Sequence, residues 1–379
     1  MSDGLGLLLF LAFFIFCMSG VNHSMNKWSF IQALRGVAVL GVVAFHSMSI
    51  EKKYFGGDLF LPDFLLLGQS GVDLFFVISG FVMVTVTRGR FAHDREMLRF
   101  LWGRFTRIYP TYWFYFFLTA AVYFVKPSWV NSLYGHQAEL FSSFFLFPNQ
   151  QPLVMVAWSL SHELWFYIIF AVLLNFNQRW LLPSLLVWGM IVATANVFVA
   201  TTANLSTAVR IAFHPYTFEF IIGAFVAIFV ASECSRKISA RMSFMVIIVL
   251  LVVGLPLVYV FDILKEAGIL RVSVFGILYG LLVLALATLE REKKFIVPRF
   301  LQSVGDMSYT VYLSHILILN AIGRLWAMTN PARYSLVDNM IVCLLMVASV
   351  VSYGWIGYRL VEQPIVHVTH RLRTRWFEN

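Results

Sequence analysis

The chain has 379 residues; 60% are apolar, 17% aromatic and 12% charged. A water-facing surface needs about 25% charged residues. This composition therefore excludes an ordinary soluble enzyme, a disordered chain and a coiled coil, and makes a bilayer the expected solvent. The net charge of +9 leaves nucleic acid open as a partner until the basic residues are mapped. Three scattered cysteines, Cys17, Cys234 and Cys343, are too few for a disulfide framework or a metal site and read as small apolar fillers.

The N-terminal run Leu5–Met18 is apolar but short, with only Asp3 before it. It lacks the positive start and small-residue cleavage site of a signal peptide. Residues 1–24 are either an extra helix or a misassigned start, with Met25 as the preferred beginning. Ten segments follow that are long and apolar enough to cross a bilayer. They are Phe30–Ser49, Phe64–Val86, Pro110–Val125, Val154–Leu174, Leu181–Ala200, Arg210–Val230, Ser243–Phe261, Ile269–Leu289, Gly305–Met328 and Val337–Leu360. None alternates like a porin strand, so the predicted fold class is an all-α polytopic membrane bundle. Residues 25–370 read as one membrane domain, and 371–379 as a basic cytoplasmic tail.

The basic residues fix the direction. One set of loops holds Lys27, the arginines 88, 90, 95, 99, 104 and 107, Arg179, Arg236, Lys237, Arg241, Arg291, Lys293, Lys294, Arg299, Arg371, Arg373 and Arg375. The opposite set holds only Lys52, Lys53, Lys126, Arg210, Lys265, Arg271 and Arg333. If the spans alternate, the richer set falls on one side, and the positive-inside rule places both ends of the bundle in the cytoplasm. Topology then accounts for the charge, and nucleic acid drops out. The stretch Thr87–Tyr109 has the makings of a basic amphipathic helix on the membrane surface.

Ionisable residues inside a membrane are costly and are functional candidates by default. Arg35 and His46 share span 1, eleven residues apart, which is close to three whole turns and about 16 Å of rise. One face thus offers an anion-binding cation and a titratable imidazole, a geometry suited to a long anionic molecule with its reactive end at His46. Asp73, Glu163, Glu219 and His315 fall near mid-membrane on four other spans, which suggests a shared polar cavity. His162, His214, Asp306 and Arg324 complete the set. An imidazole oriented by a carboxylate is a general-base arrangement. Arg104 and Arg107, three apart on one helix face, suit a phosphate-bearing ligand; the bland reading is plain positive-inside anchoring. Tyr109, Tyr112, Trp113 and Tyr115 read as an interfacial aromatic belt. Gly68 and Gly71, ahead of span 2, allow close backbone approach or a broken helix lining a cavity.

Six segments in order resemble the membrane-bound acyltransferase family 3, whose members O-acetylate surface polysaccharides and lipid-linked sugars. The first is Arg35-Gly36 with His46, ten residues lying between Arg35 and His46. The second runs from Gly68-Gln-Ser-Gly71-Val-Asp73 to Ser79-Gly80. The third is Arg104-Phe-Thr-Arg107-Ile-Tyr-Pro110, and the fourth Trp158-Ser-Leu-Ser-His-Glu163-Leu-Trp-Phe-Tyr167. The last two are Gly305-Asp-Met-Ser308-Tyr309-Thr-Val-Tyr312-Leu-Ser-His315 and Glu362-Gln-Pro364. The second and fourth are most similar to the exopolysaccharide, ExoZ-like branch. Leu164 stands where many relatives carry a second Glu, and the fused hydrolase-like domain of many relatives is not seen here.

The resemblance implies a multi-pass protein of the bacterial inner membrane. It also implies acetyl-CoA from the cytoplasm as donor, no metal, and a polysaccharide or lipid-linked sugar as acceptor, with polysaccharide assembly machinery as a further partner. Acyl groups other than acetyl stay open. In that scheme His46 is general base, with an acetyl-histidine step as the alternative. Arg35, Arg104 and Arg107 hold the donor, with Gly68 and Gly71 nearby. Glu163 or Asp73 orients the base or the sugar. His315, Ser308, Tyr309 and Glu219 are the substrate-side candidates. Two rival readings are a proton-coupled transporter and a non-catalytic partner of an export complex. Spans 1–5 and 6–10 lack the matching broken helices of many transporters.

Overall fold

A computed structural model describes residues 28–55, 60–131, 135–199, 205–266, 268–329 and 335–377. The N-terminal segment 1–24, Cys17, Lys27 and Arg333 lie outside the described residues. Among the described residues the regular structure is entirely helical, and ten helical segments are long and apolar enough to cross a membrane. They coincide with the ten expected spans apart from their ends.

The chain divides into two compact units. The first contains residues up to Ile78 together with Ile228–Ile356; the second contains Ser79–Ala227 and the chain from Gly357 onward.

In the first unit, α1 spans Ser29–Tyr54. Its N-terminus is capped in trans. The backbone N–H groups of Ser29 and Phe30 donate to the Glu290 carboxylate at 2.8 and 2.9 Å, as does the Ser29 hydroxyl at 3.0 Å. A carboxylate there satisfies orphan donors and meets the positive end of the helix dipole. Near the other end, buried Glu51 accepts the N–H groups of Phe60 and Leu61. A 3-10 helix, Asp63–Ser70, leads directly into α2, Gly71–Thr87, so span 2 is a broken helix.

Glycines set how closely α1 is approached. A Cβ on Gly36 would lie 2.6 Å from the Leu301 carbonyl oxygen, and one on Gly305 would collide with the Gln32 backbone. At the second crossing, Gly68 and Gly71 press on the backbones of Gly41 and Ala38. Small residues at such crossings let helices associate in lipid, where apolar burial alone gives little drive.

Numbering α3 to α8 for the second unit, the first unit continues with α9 (Ala240–Val249), α10 (Leu255–Val260) and α11 (Ile269–Arg291). It ends with α12 (Arg299–Asp306), α13 (Ser308–Thr329) and α14 (Leu336–Gly357). A π-helical turn, Leu250–Gly254, joins α9 to α10, and Val258, Ile263 and Phe275 pack as a small core behind it. The expected ninth span began at Gly305, but Met307 separates α12 from α13.

The second unit holds α3 (Glu96–Val125), short α4 (Leu140–Phe144), α5 (Trp158–Leu173) and α6 (Leu181–Val199). It also holds α7 (Thr207–Ala212), most of α8 (Thr217–Val230) and α15 (Gln363–Phe377). Helix α3 corrects the expected start at Pro110. It begins fourteen residues earlier, with Pro110 in its interior, so Arg99, Arg104 and Arg107 belong to a spanning helix rather than to a separate surface helix.

The expected aromatic belt is also corrected. Tyr112 and Tyr115 are fully buried. Tyr109, Tyr112 and Trp113 donate to the carbonyl oxygens of Phe145, Ser143 and Phe144, fastening the α4 turn to α3. Phe166 stacks on Phe220, with Phe170 and Trp188 around them. Residues 363–377 form α15: Trp376 packs on Trp102 with ring centroids 4.7 Å apart, and Arg373 lies beside Gly103.

Candidate active site

Helix periodicity alone places Arg35 and His46 on one face of α1, and both are half-buried. The structure brings His315 of α13 to His46: their ring centroids are 5.1 Å apart and tilted by 46°. His315 is fully buried. Its Nδ1 faces two carbonyl oxygens, Tyr312 at 2.8 Å and Val311 at 3.2 Å. A carbonyl only accepts, so Nδ1 carries the proton and a neutral ring keeps its lone pair on Nε2. That Nε2 is buried with no hydrogen-bond partner among the described residues. Tyr312 flanks the pair, its ring 5.9 Å from His315 and 6.1 Å from Phe75. His46 itself has no hydrogen-bond partner among the described residues and so remains available to a ligand.

Asp73, at the start of α2, is fully buried and accepts a 2.8 Å hydrogen bond from Nη2 of Arg271. Arg271 was expected in a loop; it lies in the first turn of α11 and is 8% exposed. Local hydropathy could not show that its charge is neutralised by a residue some two hundred positions away. Gly68 and Gly71 have the space beside them filled by α1 backbone. Ser308 is fully buried with its hydroxyl unpartnered among the described residues, and Tyr309 beside it is half-buried. Cys343 is the buried filler expected, whereas Cys234 is exposed in a short 3-10 turn.

In the second unit the third and fourth sequence segments meet. Glu163 of α5 accepts a hydrogen bond from the Ser79 hydroxyl at 2.8 Å and another, very short one, from the Tyr167 hydroxyl. The Arg104 guanidinium lies 5.6 Å from the Tyr167 ring centroid and 5.3 Å from that of Phe100. It lies within electrostatic reach of Tyr167, Glu163 and Arg107. Ser79, Tyr167, Glu163 and Arg104 thus form one chain of polar groups, and Arg107 sits half-buried a turn away. Donors on two sides fix the position of the Glu163 carboxylate. Tyr167 was visible in the sequence only as a motif letter; its i+4 spacing from Glu163 was the signal that would have found it. Glu219, in the first turn of α8, is fully buried.

Among the described residues no group of three or more His, Cys, Asp or Glu side chains could hold a metal ion.

Comparison with known proteins bears on these arrangements directly. The family described as "Acyltransferase domain" (acyltransferase family 3) matches residues 28–358. The exopolysaccharide production protein ExoZ of Rhizobium meliloti (strain 1021) is 27% identical over 321 residues, covering 79% of this chain and 90% of that protein. The peptidoglycan O-acetyltransferase OatA of Listeria monocytogenes serovar 1/2a (strain ATCC BAA-679 / EGD-e) is 25% identical over 373 residues. That alignment covers 88% of this chain and 55% of OatA, so the chain spans about half the length of that relative. No solved structure matches. The family match runs unbroken from α1 to the end of α14 and takes in both polar clusters; the chain belongs to acyltransferase family 3 and is a multi-pass membrane acyltransferase.

Proposed function

We propose that this protein moves an acetyl group from cytoplasmic acetyl-CoA to a hydroxyl of a surface or exopolysaccharide sugar, presented on the polymer or on a lipid carrier. Residues 25–370 act as the acyltransferase domain, in a bacterial inner membrane with both ends of the bundle in the cytoplasm. The observation that carries the reading is the His46–His315 pair. The two imidazoles, with ring centroids 5.1 Å apart, stand together inside a protein with a membrane-acyltransferase sequence.

His46 takes the proton of the acceptor hydroxyl as its oxygen attacks the thioester carbonyl. A new C–O bond forms and the C–S bond breaks. The CoA thiolate leaves with the proton that His46 had accepted. His315, whose tautomer is set by backbone carbonyls, positions the His46 ring. Asp73, already paired with Arg271, supports this half of the machinery by positioning rather than by proton transfer. Ser308 and Tyr309 stand as acceptor-side groups of the same unit, and Glu219 of the other.

Arg104 and Arg107 take the anionic donor's phosphates, where planar guanidinium forks match phosphate oxygens, and Arg35 serves the same donor. Glu163 and Tyr167 keep Arg104 in its orientation. The names of the two relatives, an exopolysaccharide production protein and a peptidoglycan O-acetyltransferase, support a glycan acceptor and an acetyl cargo.

Proton NMR of surface polysaccharide from cells with and without this protein tests the proposal. Acetyl methyl signals present only with the protein are expected. Identical acetyl content in both would overturn it.

A further inference from the structure

The second unit contains a cavity of about 190 Å³ apart from the Arg104–Glu163 chain. Tyr112, Asn149, Trp158, His162, Arg210 and His214 stand in its wall. Hydrogen bonds and ring contacts tie its wall together. The helical stretch breaks between α7 and α8 at Pro215, which projects His214 inward. Asn196 pins the break by donating to the Phe213 carbonyl at 2.7 Å. His214 Nδ1 accepts the Tyr216 N–H at 3.2 Å, and Tyr216 stacks on His214 and on Trp158, with ring centroids 4.3 and 5.7 Å apart. His162 donates through Nδ1 to the Trp158 carbonyl at 2.9 Å, and its ring centroid lies 4.7 Å from that of His214.

The chemistry of the wall is mixed in a particular way. Aromatic and imidazole rings make up much of it. Asn149 donates to the Phe147 carbonyl at 2.9 Å, while its buried Oδ1 has no partner among the described residues. An acceptor left bare in a water-poor wall is destabilising unless something donates to it. Among the described residues of the wall Arg210 is the one Lys or Arg, at an exposed position, which is too little for a polyphosphate. Its volume is below the roughly 300–1,000 Å³ that takes a drug-sized ligand, so CoA does not fit. A single pyranose ring does fit: its hydroxyls donate to Asn149 Oδ1, and its C–H edges pack on the electron-rich faces of rings.

We infer that this cavity is a holding subsite for one sugar ring of the acceptor glycan. The inference rests on the acetyl-transfer reading for the identity of the glycan, and on the cavity itself for the site. Trp158 and His162 belong to the segment that also carries Glu163. One turn of α5 therefore serves the sugar through one face and the Arg104 chain through the next.

The test uses the full-length protein in nanodiscs, with oligosaccharides released by partial hydrolysis from the producing cell's surface polysaccharide as the probe. Saturation-transfer NMR reads binding without any donor present. His214→Ala and Asn149→Ala are expected to abolish or weaken saturation transfer. They are also expected to raise the acceptor KM roughly tenfold while the acetyl-CoA KM stays put. Asn149 lies in a loop, so its variant keeps the test alive if His214→Ala fails to fold. Repeating the titration with alkyl glycosides of the same sugars separates a polymer ring from a lipid-linked one, and cavity-dependent binding of either supports the site. Unchanged acceptor binding and KM in the folded variants would overturn the subsite while leaving acetyl transfer standing. Cavity-dependent sugar binding by a protein that transfers no acetyl group would uphold the subsite and sink the acetyl-transfer reading.

Discussion

Breaking the Asp73–Arg271 pair has a calculable consequence. The two side chains are 0% and 9% exposed and meet at 2.8 Å. At an effective dielectric near 20 their attraction is on the order of 6 kcal/mol, most of it spent on desolvating both charges. The net worth of the pair is therefore small, but removal of one partner takes the ion-pair partner away from a buried charge. Arg271→Met or Asp73→Leu is expected to cost about 3–5 kcal/mol each. The double variant Asp73→Leu/Arg271→Met removes both charges and is expected to cost far less than the sum. Equilibrium unfolding in bicelles, run as a double-mutant cycle, measures the coupling. Acetyl transfer by the double variant then separates two roles. Retained transfer means that Asp73 acts by fixing α2 against α11; abolished transfer with restored stability means that its carboxylate serves the reaction itself. Additive losses, or a silent Asp73→Leu, would refute the reasoning.

Three further outcomes follow from the geometry. Gly305→Ala drives a Cβ into the Gln32 backbone; since helix backbone cannot yield as a side chain can, destabilisation of at least about 1–3 kcal/mol and poor folded yield are expected on detergent-solubilised protein. Tyr167→Phe removes the hydroxyl that donates to Glu163, and such a bond is worth about 1.5–3 kcal/mol, so Arg104 is held less firmly and a raised acetyl-CoA KM is expected with acceptor KM little changed. Arg104→Lys loses the planar fork, and the expected result is a raised acetyl-CoA KM that grows further with salt, measured by labelled-donor titration.

The fold is legible in the sequence where hydropathy alone decides the outcome. All ten spans are present because roughly twenty apolar residues in a row have few alternatives in lipid. Its errors came where a local property met a long-range partner. Helix α3 was expected to start at Pro110 because Arg99, Arg104 and Arg107 lower the local hydropathy, yet one of these, Arg104, is drawn in by Tyr167 and Glu163. Arg271 looked like a loop charge because Asp73, which neutralises it, is remote in sequence. Tyr112 and Tyr115 looked interfacial because their carbonyl partner and packing lie in or beyond a loop whose shape hydropathy does not encode. Cys234 was read as a filler because a cysteine's exposure depends on the turn that holds it.

The site shows the same division. The eleven-residue spacing of Arg35 and His46 was legible from helix geometry alone. The approach of His315 to His46 was not, since it depends on how α13 packs against α1. His214 registers in the sequence only as one more ionisable residue in a span, because the helix break at Pro215 that turns it into a cavity wall is a tertiary feature.

The central claim is that His46 removes the acceptor's proton. Transfer of labelled acetyl from acetyl-CoA to surface polysaccharide, measured in membranes carrying matched amounts of the wild-type and His46→Ala proteins, tests it most directly. The account predicts a loss of about 10²–10⁴-fold, the range of a positioned general base. Undiminished transfer by His46→Ala would contradict it.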